Sequence, residues 1–299
     1  MNVKQALLEL MQRKPELTGS AIARAIGRSP ATVSQYLNDC YPGDVVKMTG
    51  LIGDFIRRID EKERSARIVM PFVPTATARK ITETVRLAHI EGEITVVYGE
   101  AGLGKTIALK QYSKDHSDAV LIEVDPGYTA KVLLEDLCSK LSVNVRGNLH
   151  ELLEAVINKL QDSGRLIIID EAELLPYRAL EVLRRIHDKT GIGIVLAGMP
   201  RLLHNLRGKR GEFVQLYSRI AFALNLGNRL PELDVFSIAG SVDLDTRDPD
   251  EVNKALYEVS NGNTRRLSKL LKGVVHLSRI NAKPVTPAMV REFGKMLIQ

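Results

Sequence analysis

The chain has 299 residues, 44% hydrophobic and 26% charged, the make-up of a globular protein of about two domains rather than a disordered or fibrous one. No apolar run nears the ~20 residues that span a bilayer, the charged start MNVKQALLELMQRKPEL lacks the pattern of a secretory signal, and Cys40 and Cys138 stand too far apart to suggest a disulfide framework, so a cytoplasmic protein with reduced thiols is expected. The net charge of +6 is uneven: residues 201–229 carry Arg201, Arg207, Lys209, Arg210, Arg219 and Arg229 against Glu212 alone, and the tail after Lys254 is again basic, which fits either a polyanionic partner or solvated helix faces.

Residues 1–67 read as four short helices, at 3–12, 18–26, 30–38 and 45–64. The stretch TGSAIARAIGRSPATVSQYLN (18–38) resembles a helix-turn-helix. Ala23 is small where two helices would cross, Gly27 supplies the turn, and Ile22, Ile26, Val33 and Tyr36 or Leu37 are spaced to pack the pair. That leaves Arg28, Ser29, Thr32, Gln35 and Asn38 at or near the second helix, able to touch phosphates and base edges. Small helical domains that dock proteins share this pattern, so both roles fit it. The segment IVMPFVPTATA (68–78) has no helical period and reads as a linker.

Residues 68–229 form the second region, where apolar strands at 94–98, 120–124, 166–170, 192–197 and 221–226 alternate with helices at 105–115, 130–141, 149–161 and 176–188. Strands this apolar are expected to be buried on both faces, which predicts a doubly wound α/β fold with a parallel sheet and helices on both faces. Residues 230–299 read as helices only, with Thr286-Pro287 as a helix start.

The strand at 94–98 runs into GEAGLGKT, which fits G-x-x-x-x-G-K-[ST] at Gly99, Gly104, Lys105 and Thr106. Glycines let backbone N–H groups converge on phosphates, and the following helix adds its positive end. Gly99, Glu100, Ala101, Gly102, Leu103, Gly104, Lys105, Thr106 and Ile107 are therefore the expected cradle for ATP, with Lys105 on the β- and γ-phosphates and Thr106 on Mg²⁺. The strand in RLIIIDEAE (165–173) ends in Asp170, expected to hold Mg²⁺ through water, and Glu171, expected to orient the attacking water. A second acid directly after the first points to hydrolysis of ATP by water.

On these residues the sequence resembles the AAA+ ATPases. LYSRI (216–220) is similar to that family's arginine-finger box, which implies that Arg219 reaches the γ-phosphate in a neighbouring subunit. GNTR (262–265) is similar to its sensor-2 motif, which implies that Arg265 contacts the nucleotide from a helical lid. One departure stands out: the fourth strand ends in Ala197, Gly198, Met199 and Pro200, where the family usually has a polar residue. Slow or partner-dependent hydrolysis is expected from that.

The module order, with PFVPTATARKITETVRLAHIEGEITVVYGEAGLGKT, RLIIIDEAELL, IGIVLAGMPRL and LYSRIA, resembles the transposition B proteins of Mu and Mu-like phages over nearly the whole chain. The resemblance implies ATP-dependent oligomers or helical filaments on double-stranded DNA with little sequence preference. It also implies delivery of that DNA to an A-type transposase as target, and target immunity when hydrolysis dissolves the filament. ATP held between Lys105 of one subunit and Arg219 of the next would couple occupancy to assembly, and assembly would add weak basic contacts into avidity. Candidate contacts are Tyr128, Thr129 and Lys131 after the second strand, and Arg266, Lys269 and Lys272 on a tail helix. There Arg265, Arg266, Lys269, Lys272 and Arg279 are expected to share one face, opposite Leu267, Leu270, Leu271 and Val274. Rival readings are a replication initiator or helicase loader, a nucleotide-switched helix-turn-helix regulator, and a secretion ATPase, the last disfavoured by the lack of a membrane segment.

Overall fold

The computed structural model describes residues 3–66, 70–208 and 214–297, and the chain divides into two units, Met1–Val69 and Met70–Gln299. Lys209, Arg210 and Glu212 of the basic stretch, and the start of the expected linker, lie outside the described residues.

Among the described residues the first unit has four helices, α1 (Val3–Arg13), α2 (Gly19–Ile26), α3 (Pro30–Leu37) and α4 (Val45–Ala66). Their ends follow from side chains able to satisfy open N–H groups. Thr18 accepts from Ala21 N, and Ser29 accepts from Thr32 N with Pro30 at the first turn. Gly27, at φ 67°, ends α2 in the left-handed conformation that other residues resist. Leu7, Leu10, Ile22, Ala23, Val33, Tyr36, Met48, Ile52 and Phe55 make one core, so the expected packing of α2 on α3 holds.

The second unit is built on a five-stranded parallel sheet of β1 (Ile94–Tyr98), β2 (Ala119–Glu123), β3 (Leu166–Asp170), β4 (Gly193–Gly198) and β5 (Ile220–Asn225), in the order β2-β3-β4-β1-β5. Its helices are α5 (Ala76–Glu91), α6 (Lys105–Asp115), α7 (Ala130–Lys140), α8 (Leu149–Leu160), α9 (Tyr177–Thr190), α10 (Arg201–Arg207) and α11 (Val214–Tyr217). Alternation along the strands divides their side chains between two layers. Ile167, Ile169, Ile194 and Leu196 pack with Leu133, Leu152 and Ile186 of α7, α8 and α9. Ile168, Val195 and Ala197 pack on the other face with Ile81 and Val85 of α5 and Leu109 of α6.

The expectation of strands buried on both faces holds for β1, β3 and β4 and fails for β5, whose Ala221, Phe222 and Ala223 are exposed. β5 is an edge strand with β1 as its sole ladder partner among the described residues, so its apolar run lacks the cover that the central strands have.

Beyond the sheet, α12 (Glu232–Ala239), α13 (Pro249–Ser260), α14 (Thr264–Asn281) and α15 (Pro287–Lys295) enclose a core of their own. Leu103 of the glycine-rich loop is buried in that core. A second tie runs from α12: Asp234, 2% exposed, accepts hydrogen bonds from Ala76 N and Thr77 N, both 3.0 Å, at the start of α5. A carboxylate there satisfies open N–H groups and faces the positive end of the helix.

Candidate nucleotide site

The loop between β1 and α6 wraps the buried side chain of Lys105. Its Nζ donates to Gly99 O (2.6 Å) and Glu100 O (2.9 Å). Burial pushes the ammonium below the ordinary lysine range, while the charges of Asp170, Glu173 and Glu100 pull it back. Ala101, Gly102, Leu103, Gly104, Lys105, Thr106 and Ile107 line a cleft of about 250 Å³. Asp170 and Glu171 from the end of β3 and Arg265 from α14 open into the same cleft, with Glu173, Gly198, Met199 and Thr264. Gly99 and Glu100 stand outside the lining and serve through their carbonyls.

Asp170 is 2% exposed, and its Oδ1 accepts from Glu171 N at 3.0 Å. Glu171 is exposed and sits at φ 57°, a left-handed conformation that costs a non-glycine residue energy and that clusters at working sites. Asp170 and Thr106 offer hard oxygen donors in one cleft. Among the described residues no group of three or more His, Cys, Asp or Glu could hold a metal unaided. That donor set fits Mg²⁺, which takes one or two protein oxygens and completes its shell with water and phosphate.

The start of α14 is latched to the loop. Asn263 caps the helix through Arg265 N and Arg266 N, its Nδ2 donates to Ala101 O (3.0 Å), and Thr264 N donates to Gly102 O (2.8 Å). Gly102 lies so close that a Cβ there would strike the Asn263 side chain. Beside the phosphate cleft, Met70, Pro71, Phe72, Val73, Leu230 and Ile238 line an apolar recess of about 470 Å³, which shares Leu103, Gly104, Ile107, Thr264 and Arg265 with it.

The other expected residues lie apart. Arg219 does not line the cleft; it is half exposed and its Nε donates to Asp188 Oδ1 of α9 at 2.9 Å. Burial raises the Asp188 carboxyl, but the hydrogen bond and charge of Arg219, with Arg184 and His187, outweigh it and hold the group below the usual carboxylate range. Arg28, Ser29 and Gln35 are exposed at α3 and Thr32 is half-buried, with Ser29 engaged as the helix cap. Thr129 caps α7, and Lys131 is exposed beside Glu135. Tyr128 packs against the core and donates to Asp136 Oδ2 (3.0 Å); burial first, then this bond, push its hydroxyl up to about 12. Its polar end is thus already engaged.

On α14, Lys269, Lys272 and Arg279 share an exposed face with Arg265 and with His276, a residue whose place on that face the sequence did not mark. Arg266 departs from the expected face: it is half-buried and its Nε is buried without a partner. The reason is pitch, since one residue on from Arg265 is ~100° around the helix. Glu173, Asn263 and Asp234 were not singled out from sequence; the third acid of DEAE and the N-cap asparagine in GNTR were the available signals.

A parallel sheet with a glycine-rich loop after β1, acids ending β3 and a helical bundle latched to that loop defines a P-loop protein of the AAA class. The family model described as AAA domain matches residues 89–206, and that of winged helix-turn-helix DNA-binding matches residues 3–40. The chain is 33% identical over 248 residues to "ATP-dependent target DNA activator B" of Escherichia phage Mu, covering 80% of this chain and 78% of that one. It is 30% identical over 214 residues to "Mu-like prophage FluMu DNA transposition protein B" of Haemophilus influenzae, covering 69% and 74%. The chain belongs to this transposition protein B family. Two solved structures agree in fold: the Aeropyrum pernix ORC2 protein (TM-score 0.56, 18% identity, 75% of this chain and 67% of that one) and domain III of the Thermotoga maritima replication initiation protein DnaA (0.51, 19%, 76% and 95%).

Proposed function

We propose that this protein binds ATP with Mg²⁺, assembles on double-stranded DNA with little sequence preference, and delivers that DNA to a transposase as target. The observation that carries the reading is the shared cleft of Lys105, Thr106, Asp170, Glu171 and Arg265, in a chain that belongs to a family with a relative named an ATP-dependent target DNA activator. The phosphates of ATP rest on the loop 99–107 and its N–H groups. Lys105 leaves its carbonyls for the β- and γ-phosphates, and Arg265 meets the phosphates from the lid. The base and sugar occupy the apolar recess against Phe72 and Ile238. Thr106 and Asp170 would hold Mg²⁺, which when bound would neutralise charge on the phosphate oxygens.

Glu171 orients a water whose oxygen bonds to the γ-phosphorus as the bond to the bridging oxygen breaks. The water's proton passes to Glu171 and ADP leaves. Arg219 acts on the nucleotide of a neighbouring copy, since it stands outside the cleft of its own chain. DNA is met by α3 through Arg28, Ser29, Thr32 and Gln35, by Lys131, and by the Lys269–Lys272 face of α14. The site of action is the cytoplasm of a bacterial host. Among the described residues no helix is long and apolar enough to cross a membrane.

The test is binding to random-sequence duplex DNA with ATP, ADP or no nucleotide, for wild type and Lys105→Ala, with electron micrographs of the same samples. Filaments with ATP alone, lost in Lys105→Ala, are expected. Tight binding to one operator without nucleotide or filaments would sink the reading in favour of a helix-turn-helix regulator, which the apolar end of β4 also suits.

A further inference from the structure

Among the described residues, three buried side-chain polar atoms have no hydrogen-bond partner, and one of them, Glu173 Oε2, belongs to a residue lining the phosphate cleft. Glu173 sits on the 3₁₀ turn Ala172–Leu174 that follows Asp170 and Glu171. Asn205 Nδ2 donates to its carbonyl oxygen at 3.0 Å and pins the turn. The side chain is 4% exposed. Oε1 lies 3.6 Å from Nη2 of Arg201, whose own side chain is 60% exposed. Oε2 lies against the end of β4, where a Cβ on residue 198 would collide with it; glycine leaves that room.

A buried acceptor on a charged group costs stability while it lacks a donor. In a cleft built for phosphate, the missing donor cannot be the phosphate itself, because both groups are anionic. The donor that a loaded site brings beside Asp170 and Glu171 is water. We propose that Glu173 is a second water-holding carboxylate of this site: its free Oε2 accepts a hydrogen bond from the water that attacks the γ-phosphate, and Arg201 anchors it through Oε1. The proposal rests on the ATP-hydrolysis reading above. It also accounts for the apolar end of β4. The polar contact reaches the water from the 3₁₀ turn, through the space that Gly198 leaves. Glu173 is then a catalytic residue and Arg201 a positioning residue.

The test is steady-state hydrolysis by the full chain on duplex DNA, with affinity for a fluorescent ATP analogue and ligand-free thermal unfolding measured alongside. Glu173→Gln is expected to lower kcat by at least about tenfold while KM and affinity stay within about threefold. Gly198→Ala keeps the carboxylate but displaces it, and is expected to show the same split. Arg201→Gln is expected to give a smaller loss that vanishes in the Glu173→Gln background, as for residues acting as one unit. The ligand-free Tm of Glu173→Gln is expected to hold or rise by about 1–4 °C, since a buried acceptor without a donor is removed and the Arg201 pair lost with it is long and, on the arginine side, largely exposed to solvent. Wild-type kcat in both Glu173→Gln and Gly198→Ala overturns the proposal alone. So does a loss of affinity and Tm matching the loss of kcat. A wild type that binds no nucleotide, or that Lys105→Ala leaves unchanged, overturns the ATPase reading and the proposal with it.

Discussion

Lys105 is a cation held largely out of water, with two carbonyls for company. Removing it leaves the bound phosphates without their nearest charge, which predicts that Lys105→Ala weakens ATP binding on the order of 10²-fold, as checked by titration with a fluorescent analogue. Its lowered pKa also fixes a sign. Between the folded and the ordinary lysine value the unfolded chain binds more protons, so stability attributable to this group rises with pH across that window. Below it, the full cost of burying the charge is present. The Tm of Lys105→Met is therefore expected to exceed that of wild type at neutral pH, with the gap closing as pH climbs towards the ordinary lysine range. A gap that widens with pH contradicts the assignment. Asp188 has the opposite logic. Its carboxyl is held low by Arg219 and Arg184, so its contribution is present above the ordinary carboxylate range and is lost as pH falls through the depressed value. Asp188→Asn releases Arg219 from its tether, and hydrolysis by assembled protein is expected to fall about three- to tenfold, since a finger that must first be ordered has lost its preorganisation. Nucleotide affinity of the lone chain should stay unchanged, and a fall in that affinity would place Asp188 elsewhere in the mechanism.

One element end carried a chemical mark that was read from sequence: Thr286-Pro287 opens α15, where the Thr286 side chain meets an open N–H group. Thr18, Ser29 and Thr129 cap α2, α3 and α7 in the same way, although the sequence reading gave Ser29 and Thr129 to DNA instead. The phosphate loop was legible for the same kind of reason, because its spacing is a backbone requirement and not a matter of packing. What sequence could not convey was arrangement across elements. Phe222 reads as core until the sheet order makes β5 an edge. Glu173, the third acid of DEAE, carries no mark in the sequence, and only the structure shows Gly198 of β4 beside it. Asp234 carries no mark in the sequence, and only the structure seats it, from α12, on the start of α5. The basic face of α14 was legible in outline and wrong at Arg266, whose guanidinium is drawn inward. That difference yields a prediction at this scale. Replacing Lys269, Lys272 and Arg279 together with alanine is expected to lower the salt slope of DNA binding by roughly 2–3, close to one for each phosphate that no longer meets a cation, with little effect on folding. Arg266→Ala should do the reverse, leaving the slope unchanged and altering Tm. Binding isotherms over a series of salt concentrations decide it, and equal slopes for the triple variant and wild type would remove α14 from the DNA surface.

At the scale of the whole molecule the proposed site is completed by a second copy. Lys105, Asp170 and Glu171 share a cleft with the lid, while Arg219 is tethered to Asp188 outside that cleft, next to the exposed edge strand β5. On the proposed reading, a charge that acts on phosphate but stands outside its own cleft acts on another copy. Assembly and hydrolysis would then be one event: a neighbour would bury the edge and bring the guanidinium that the transition state needs, and a finger of this kind is worth about 10³–10⁵ in rate. Two defects in different chains should then complement each other. Lys105→Ala cannot hold ATP but still offers Arg219; Arg219→Ala holds ATP but offers nothing to its neighbour. Each alone is expected to hydrolyse ATP at background. Mixed in equal amounts on duplex DNA, with random order along an assembly, roughly a quarter of interfaces pair an intact Lys105 with an intact Arg219, so activity near that fraction of wild type is expected. The measurement is phosphate release from the mixture as a function of the ratio of the two chains. A maximum at an intermediate ratio requires a composite site between copies. A flat background at every ratio, with both variants still able to join wild-type assemblies, would mean that Arg219 serves its own chain or none.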